Sequence, residues 1–197
     1  IHDQDTTPNN QWIYDPGTRR IRTVVDNPYQ AIGEYLMEDV EGFMGYLHAY
    51  TWRYVGEQVV LVPGPIKAAA PTLEGKGQWY PHDPWELRQA IVVEATSQGN
   101  HPVYSRRVLY LDRQTSFPLY ILAYDRAGNH KRTFFLVYFH PAFNPWNNDG
   151  GIPTLAVQVA IDYEREMASI YQMNKVFNNK PLKDKLFSRA ALMRHGK

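Results

Sequence analysis

The chain has 197 residues, with 21 Lys+Arg against 20 Asp+Glu and no cysteine, which is room for one ordinary domain or a single large sheet-based one. The missing cysteine excludes a disulfide scaffold, a zinc ribbon and a thiol enzyme. A net charge of +1 supplies no global field to gather nucleic acid. The unusual component is aromatic: 14 Tyr, 8 Phe and 5 Trp favour strands and broad apolar contact surfaces over a helical bundle. No apolar run approaches the roughly 20 residues of a membrane-spanning helix. Residues 1–10 are polar and show no basic or apolar leader signature, although a leader already removed leaves no trace. A cysteine-free chain suits the cytosol and the periplasm equally.

In chain order, residues 12–25 read as two short strands around a turn at Asp15, Pro16 and Gly17. There proline sets the early turn dihedral and glycine accepts a positive φ. Residues 27–50 are less regular, and 39–47 predict a short irregular helix or structured loop, weakened as a helix by Gly42 and Gly45. Residues 51–62, with Trp52, Tyr54, Val55 and Val59 to Val62, form a strand-like run that stops at Pro63, Gly64 and Pro65. The stretch 66–84 has no periodicity and is the longest predicted loop. Strands are then expected over 88–96, 106–111, 119–124 and 131–139, joined by turns too short for a crossover helix. They must therefore be antiparallel neighbours in a meander. Residues 154–163 add another strand, with Leu155, Val157, Val159 and Ile161 expected on one face and Gln158 and Asp162 on the other. Residues 167–173 add the last. The tail predicts a short helix over 187–193, capped by Ser188 or preceded by Asp184.

Strand 119–124 places Leu119, Ile121 and Ala123 on one side and Tyr120, Leu122 and Tyr124 on the other, and strand 131–139 is apolar on both sides from Phe134 onward. An antiparallel sheet with one face in water is polar on that face, so here both faces must be covered or must line something. A curved sheet around an apolar cavity satisfies this, and so does further chain packed on the second face.

Signatures of catalysis are missing. The seven histidines show no helical ligand spacing. His82 with Asp83, which could look like a ligand pair, lies between two prolines in the long loop, so no metal site and no cofactor are expected. No nucleophile elbow, Walker loop or dinucleotide fingerprint occurs, and Asn147 to Gly151 precedes a strand and reads as a turn. Asp15, Asp112, Asp125 and Asp149 sit in predicted turns, where bonding to the backbone accounts for them. Arg19 with Arg20 and Arg106 with Arg107 are too short for a nucleic-acid stripe and read as strand-surface charges, Arg107 facing a carboxylate across the sheet.

Six segments in order carry a resemblance: Trp12 to Val24, Trp52-Arg-Tyr-Val-Gly, Val92-Val-Glu-Ala-Thr, Tyr104 to Thr115, Tyr124-Asp-Arg-Ala-Gly, and the closing Phe187-Ser-Arg-Ala-Ala-Leu-Met-Arg-His-Gly. Together they resemble the exported bacterial domain-of-unknown-function 1329 family, over nearly the whole chain. Members of that family are longer, and this chain resembles their C-terminal half. The strand, Asp-x-x-Thr turn, strand, Tyr-Asp-x-x-Gly turn, strand unit of residues 106–139 is similar in turn to the lipoprotein carriers LolA and LolB. The resemblance implies a mainly β fold, a curved antiparallel sheet or open half-barrel with short helices, as one domain over 1–197. It also implies a periplasmic carrier or chaperone for a lipid or other hydrophobic molecule, without catalysis. The rival reading is a structural or adaptor subunit of an envelope assembly. Ligand contact is expected from Tyr120, Leu122, Tyr124, Phe134, Leu136 and Tyr138. A protein partner, or a preceding segment, is expected to complete the sheet.

Overall fold

The computed structural model describes residues 11–24, 27–68, 70–82, 84–99, 101–143, 153–173 and 183–195. The chain, expected as one domain over 1–197, divides by internal packing into two compact units, Ile1–Asn27 with Phe177–Lys197, and Pro28–Val176.

The first unit holds an antiparallel hairpin of β1 (Gln11–Asp15) and β2 (Arg20–Val24), with Trp12 opposite Thr23 and Ile13 opposite Arg22. Its turn forms because the Asp15 carboxylate accepts the Gly17 N–H at 2.9 Å and the Thr18 hydroxyl at 2.8 Å. Those bonds, led by the Thr18 hydroxyl, hold the Asp15 pKa below the usual carboxylate value.

The second unit opens with a two-stranded ribbon, β3 (Ala31–Ile32) and β4 (Tyr35–Leu36). Next come β5 (Tyr50–Pro63), a small ribbon of β6 (Leu73–Glu74) and β7 (Tyr80–Pro81), and then β8 (Trp85–Ser97), β9 (Tyr104–Asp112), β10 (Pro118–Asp125), β11 (His130–Phe139), β12 (Thr154–Asp162) and β13 (Met167–Gln172). Seven of these form one antiparallel sheet in the order β13-β12-β11-β10-β9-β8-β5, the expected meander. The turns are locked by aspartates, as expected. Asp112 Oδ1 accepts the Gln114 N–H and Asp125 Oδ1 the Asn129 N–H, both at 2.8 Å. Asp149 and the Asn147 to Gly151 turn lie outside the described residues. In the first unit the tail helix, α1, runs Arg189–His195 and so starts later than expected. Ser188 stands just outside it as the cap, its hydroxyl accepting the Ala191 N–H at 3.2 Å.

Chain covers both faces of the central strands. On one face, residues 28–49 lay Tyr35, Leu36 and Phe43 over Leu109, Ile121, Phe134 and Leu136. On the other, residues 66–80 lay Ile66, Leu73, Trp79 and Tyr80 over Phe135, Val137 and Val159. The predicted long loop is therefore ordered packing, and Ile66, fully buried, bridges to Phe139 in parallel. Of the two forms expected over 39–47, a short irregular helix or a structured loop, the chain takes the loop, between single 3₁₀ turns at Met37–Asp39 and Leu47–Ala49. Between them Gly42 adopts φ +94°, where an added Cβ would stand 2.5 Å from Pro118. Only glycine fits both the dihedral and that approach. The β12 alternation also needs one correction. A register shift between Val137 and Tyr138 pairs Tyr138 with Leu155, so Leu155 joins the face under residues 28–49 while Val157, Val159 and Ile161 pack on the opposite one.

Candidate functional site

Beneath residues 28–49 lies a buried ionic cluster. Glu38 and Asp39, each 1% exposed, both meet the guanidinium of Arg107, which is 0% exposed; its Nη2 stands 2.9 Å from Asp39 Oδ1 and also bonds Glu38 Oε1. Arg107 is thus no surface charge, as had been expected of it. The carboxylates it faces come from the covering segment rather than from across the sheet. Arg106 keeps the surface role: it stacks 3.5 Å over the Tyr124 ring and pairs with Glu94 at 3.4 Å.

Glu38 also accepts the Tyr50 hydroxyl at 3.0 Å and His101 Nε2 at 2.6 Å. His101 Nδ1 accepts the backbone N–H groups of Val103 and Tyr104 at 3.1 and 2.8 Å, so that nitrogen carries no proton and Nε2 is the donor to Glu38. Asp39 Oδ2 accepts the Leu36 N–H at 2.7 Å and the Tyr104 hydroxyl at 3.0 Å. A second knot joins Arg132 to Glu34 at 3.2 Å and to Asp162 at 3.4 Å, and Gln158 Nε2 donates to the Asp39 carbonyl at 2.6 Å.

Burial raises the Asp39 pKa despite the Arg107 charge beside it. Burial alone would lower that of Arg107, but the Asp39 and Glu38 carboxylates more than offset it and hold it above its ordinary value. Burial likewise raises the pKa of Tyr50 and Tyr104. These groups are bonded to one another and shut away from water, so the cluster fastens the covering segment to the sheet. It offers no substrate a proton donor or acceptor.

The six sequence-predicted residues divide between the two faces. Tyr120 pairs with Phe135 and Ile121 with Phe134, and paired residues share a face. Tyr120, Leu122 and Tyr124 therefore lie on the side of Phe135 and Val137, whereas Phe134, Leu136 and Tyr138 lie opposite, beneath residues 28–49. The offset between β10 and β11 places the two even-numbered sets on opposite sides, which no single strand's alternation discloses. Phe134 and Leu136 are each 1% exposed. Tyr138 donates to the Pro118 carbonyl at 2.8 Å, Tyr120 to the Leu61 carbonyl at 2.6 Å, and burial raises the Tyr120 pKa to about 12.

The open apolar surface lies at the other end of the sheet. Trp52 pairs with Ala95, Tyr54 with Val93, Val59 with Gln89 and Leu61 with Leu87, while Ala95 pairs with Arg107. These side chains therefore continue the face that residues 28–49 cover; Phe43 still packs on Trp52 and Ala95 is buried, and farther along the two strands the face opens. Tyr54 is 65% exposed, Val59 62%, Leu61 54% and Leu87 70%. Contiguous bare apolar residues of this kind mark an interaction surface. One polar group interrupts the stripe: Gln89 donates to Glu57 at 3.2 Å and Arg113 pairs with Glu57 at 3.5 Å. Alternation on the 51–62 run does not find this set, since Tyr54 is even-numbered and Val59 and Leu61 odd; a register shift between Tyr54 and Gly56 brings them to one face. Nor does it tell which side the covering segment takes.

At the end of the sheet near Val62 a cleft of about 250 Å³ is lined by Arg88, Asp112, Phe117, Tyr138 and His140. Its charges pair internally, Arg88 with Asp112 at 2.5 Å. No His/Cys/Asp/Glu group among the described residues could hold a metal ion. His82 bonds Glu74 at 2.6 Å, and Asp83 lies outside the described residues.

The family model for "Protein of unknown function (DUF1329)" matches residues 1–193. The chain belongs to the DUF1329 family. No curated protein matches the sequence. Among solved structures the chain is similar to a Vibrio parahaemolyticus domain described as that of an outer membrane lipoprotein-sorting protein, at 15% identity and TM-score 0.56 over 94% of this chain and 66% of that one. A DUF1329 family protein from Desulfovibrio piger matches at 16% identity and TM-score 0.53, over 93% and 64%. A LolA superfamily protein from Nitrosomonas europaea matches at 14% identity and TM-score 0.50, over 93% and 68%. This DUF1329 chain thus has a LolA-like fold and spans about two thirds of the length of those structures.

Proposed function

We propose that this DUF1329 protein is a non-catalytic carrier or chaperone of the bacterial periplasm that binds a lipid or other hydrophobic molecule along the open face of β5 and β8. The observation that carries the reading is the bare stripe of Tyr54, Val59, Leu61 and Leu87, on a sheet whose central strands are covered on both sides. The lipoprotein-sorting description of one structural neighbour and the LolA superfamily membership of another support it by analogy of fold. Each methylene buried there is worth about 0.8 kcal/mol whatever head group it bears, so selectivity is broad. Glu57, Gln89 and Arg113 provide the one polar anchor. Phe134, Leu136 and Tyr138 extend the same surface when residues 28–49 withdraw, whereas Tyr120, Leu122 and Tyr124, on the opposite face, take no part in it.

A dansyl-labelled fatty acid tests this. Wild-type protein should enhance its emission, and Leu61→Asp with Leu87→Asp should abolish the enhancement while circular dichroism stays unchanged. A wild-type protein that never takes up the probe overturns the carrier reading.

A second reading rests on β5, the terminal strand of the sheet. Its outer edge has no partner strand among the described residues, and about a third of each solved relative's own chain lies outside the match. A preceding segment or partner protein that adds strands at β5 makes the stripe an internal interface of an envelope adaptor. A stable, unaggregated species of 22.9 kDa in light scattering counts against this second reading.

A further inference from the structure

The first unit is charged quite differently from the rest of the molecule. Its sequence, 1–27 and 177–197, holds nine Lys/Arg against five Asp, a net +4 with His neutral, in a chain whose total is +1. The seven of those cations in its described segments, 11–24 and 183–195, are all exposed. Among the described residues Arg22 pairs with Asp15 at 3.9 Å, which leaves the Arg22 side chain 71% exposed. The Asp15 carboxylate is already committed to the Gly17 N–H and Thr18 hydroxyl.

Bare apolar side chains stand among these cations. Ile13 is 60% exposed and shares its face of the hairpin with Arg22 opposite it and with the Asp15–Arg20 pair next along. Leu186 is 42% exposed, Phe187 68% and Met193 52%, with Lys185, Arg189 and Arg194 between and beside them. Trp12, Leu186, Phe187 and Leu192 line one shared cavity, so this unit is an aromatic and aliphatic body ringed by positive charge.

We infer that this terminal unit is a docking surface for an anionic lipid bilayer. Interfacial membrane binding combines two terms, apolar side chains entering the acyl boundary and Lys/Arg heads held at the negative surface, and this unit presents both. The long stems of Arg and Lys let their charges stay at head-group level while Phe187, Leu186 and Ile13 sink deeper. An acidic protein partner fits less well, because protein interface cores are depleted in lysine and Lys183 and Lys185 flank the apolar residues. Nucleic acid offers exposed aliphatic side chains no comparable burial. The inference stands apart from the carrier reading: it concerns a different unit and survives if no ligand binds at β5 and β8.

The test is co-sedimentation of the full chain with phosphatidylcholine vesicles, with and without about one third phosphatidylglycerol. The wild type should pellet with the anionic vesicles, bind neutral ones at least about tenfold more weakly, and come off as salt rises from about 0.05 to about 0.5 M. Arg20→Gln with Arg22→Gln should weaken anionic binding on the order of 25-fold, at about fivefold per charge. Phe187→Ser should weaken binding to both compositions and leave the salt dependence in place. Lys183→Gln with Lys185→Gln should repeat the arginine result if the hairpin variant does not fold, and Arg126→Gln, in the exposed turn between β10 and β11, should bind vesicles as the wild type does. Equal binding to both compositions overturns the inference, as does retention by neither vesicle population, the outcome expected if an acidic protein or RNA were the partner.

Discussion

Between β9 and β12 the sheet face beneath residues 28–49 is sealed by aromatic rings and by carboxylates clasped to Arg107. Across β5 and β8 the same face carries Tyr54, Val59, Leu61 and Leu87 bare. The boundary falls near Trp52 and Ala95, the last neighbours of Arg107 in the register. A buried arginine needs counter-charges delivered to it, and the covering segment delivers them at Glu38 and Asp39. The bare region demands nothing of the chain and is left for something else to cover. Charge on a sheet face thus specifies which part of it the protein closes by itself.

Removing the cation tests that boundary most severely. Arg107→Met leaves two buried carboxylates without their guanidinium, and urea denaturation should show a loss of about 3–5 kcal/mol. A midpoint equal to wild type would mean that apolar packing alone holds the covering segment down. Gly42→Ala strains the same segment through its backbone, at φ +94° and against Pro118, and should lose about 1–3 kcal/mol. Moving Ala to solvent-facing Gly128 (φ +87°, with open space around it) should lose less, which separates dihedral strain from collision.

Acid addresses the carboxylates individually. Burial tends to raise the Asp162 pKa, but the Arg165 N–H and the Lys131 and Arg132 charges win and lower it. Its contribution is therefore complete above the unfolded value of about 3.9 and disappears as pH falls through the lower folded value. Asp162→Asn should flatten the acid limb of a stability profile. Asp39, raised by burial, runs the other way: its contribution is present below about 3.9 and is lost as pH rises through the folded value. Asp39→Asn should remove that decline, and an unchanged profile would show the cluster neutralised by other means. The smallest effect belongs to the bare region, where Leu61→Asp or Leu87→Asp should shift stability by no more than about 0.5 kcal/mol. A large loss there would mean that the stripe is covered after all.

The meander could be read from the sequence because its strands alternate with Asp-centred turns that bond locally, as at Asp112 and Asp125. Tyr120 and Phe134, both expected at the ligand, fall on opposite faces because strand offset depends on the pairing of Tyr120 with Phe135, which parity within one strand does not contain. Arg107 looked like any strand arginine, since its partners lie 68 and 69 positions back in a segment with no regular period. Of the bare stripe, 51–62 shows only the apolar residues; the register shift after Tyr54 and the side left uncovered belong to the folded sheet.

The covering segment also bears on the order of folding. β8 to β11 close over short turns, as do β12 and β13, whereas residues 28–49 reach Gln158 across 119 positions and Ser169 across 135, where the Glu34 N–H meets the Ser169 hydroxyl. Contacts between distant positions incur their loop-closure entropy before they yield anything in return, so the hairpins are expected to assemble first and the segment to dock last. Pulse-labelled amide exchange during refolding should then protect β9 to β11 before Leu36. Until that docking step the whole apolar face stands open, from Phe134 to Leu87. A nascent chain therefore passes through a state in which its largest sticky surface is unguarded and aggregation competes with closure.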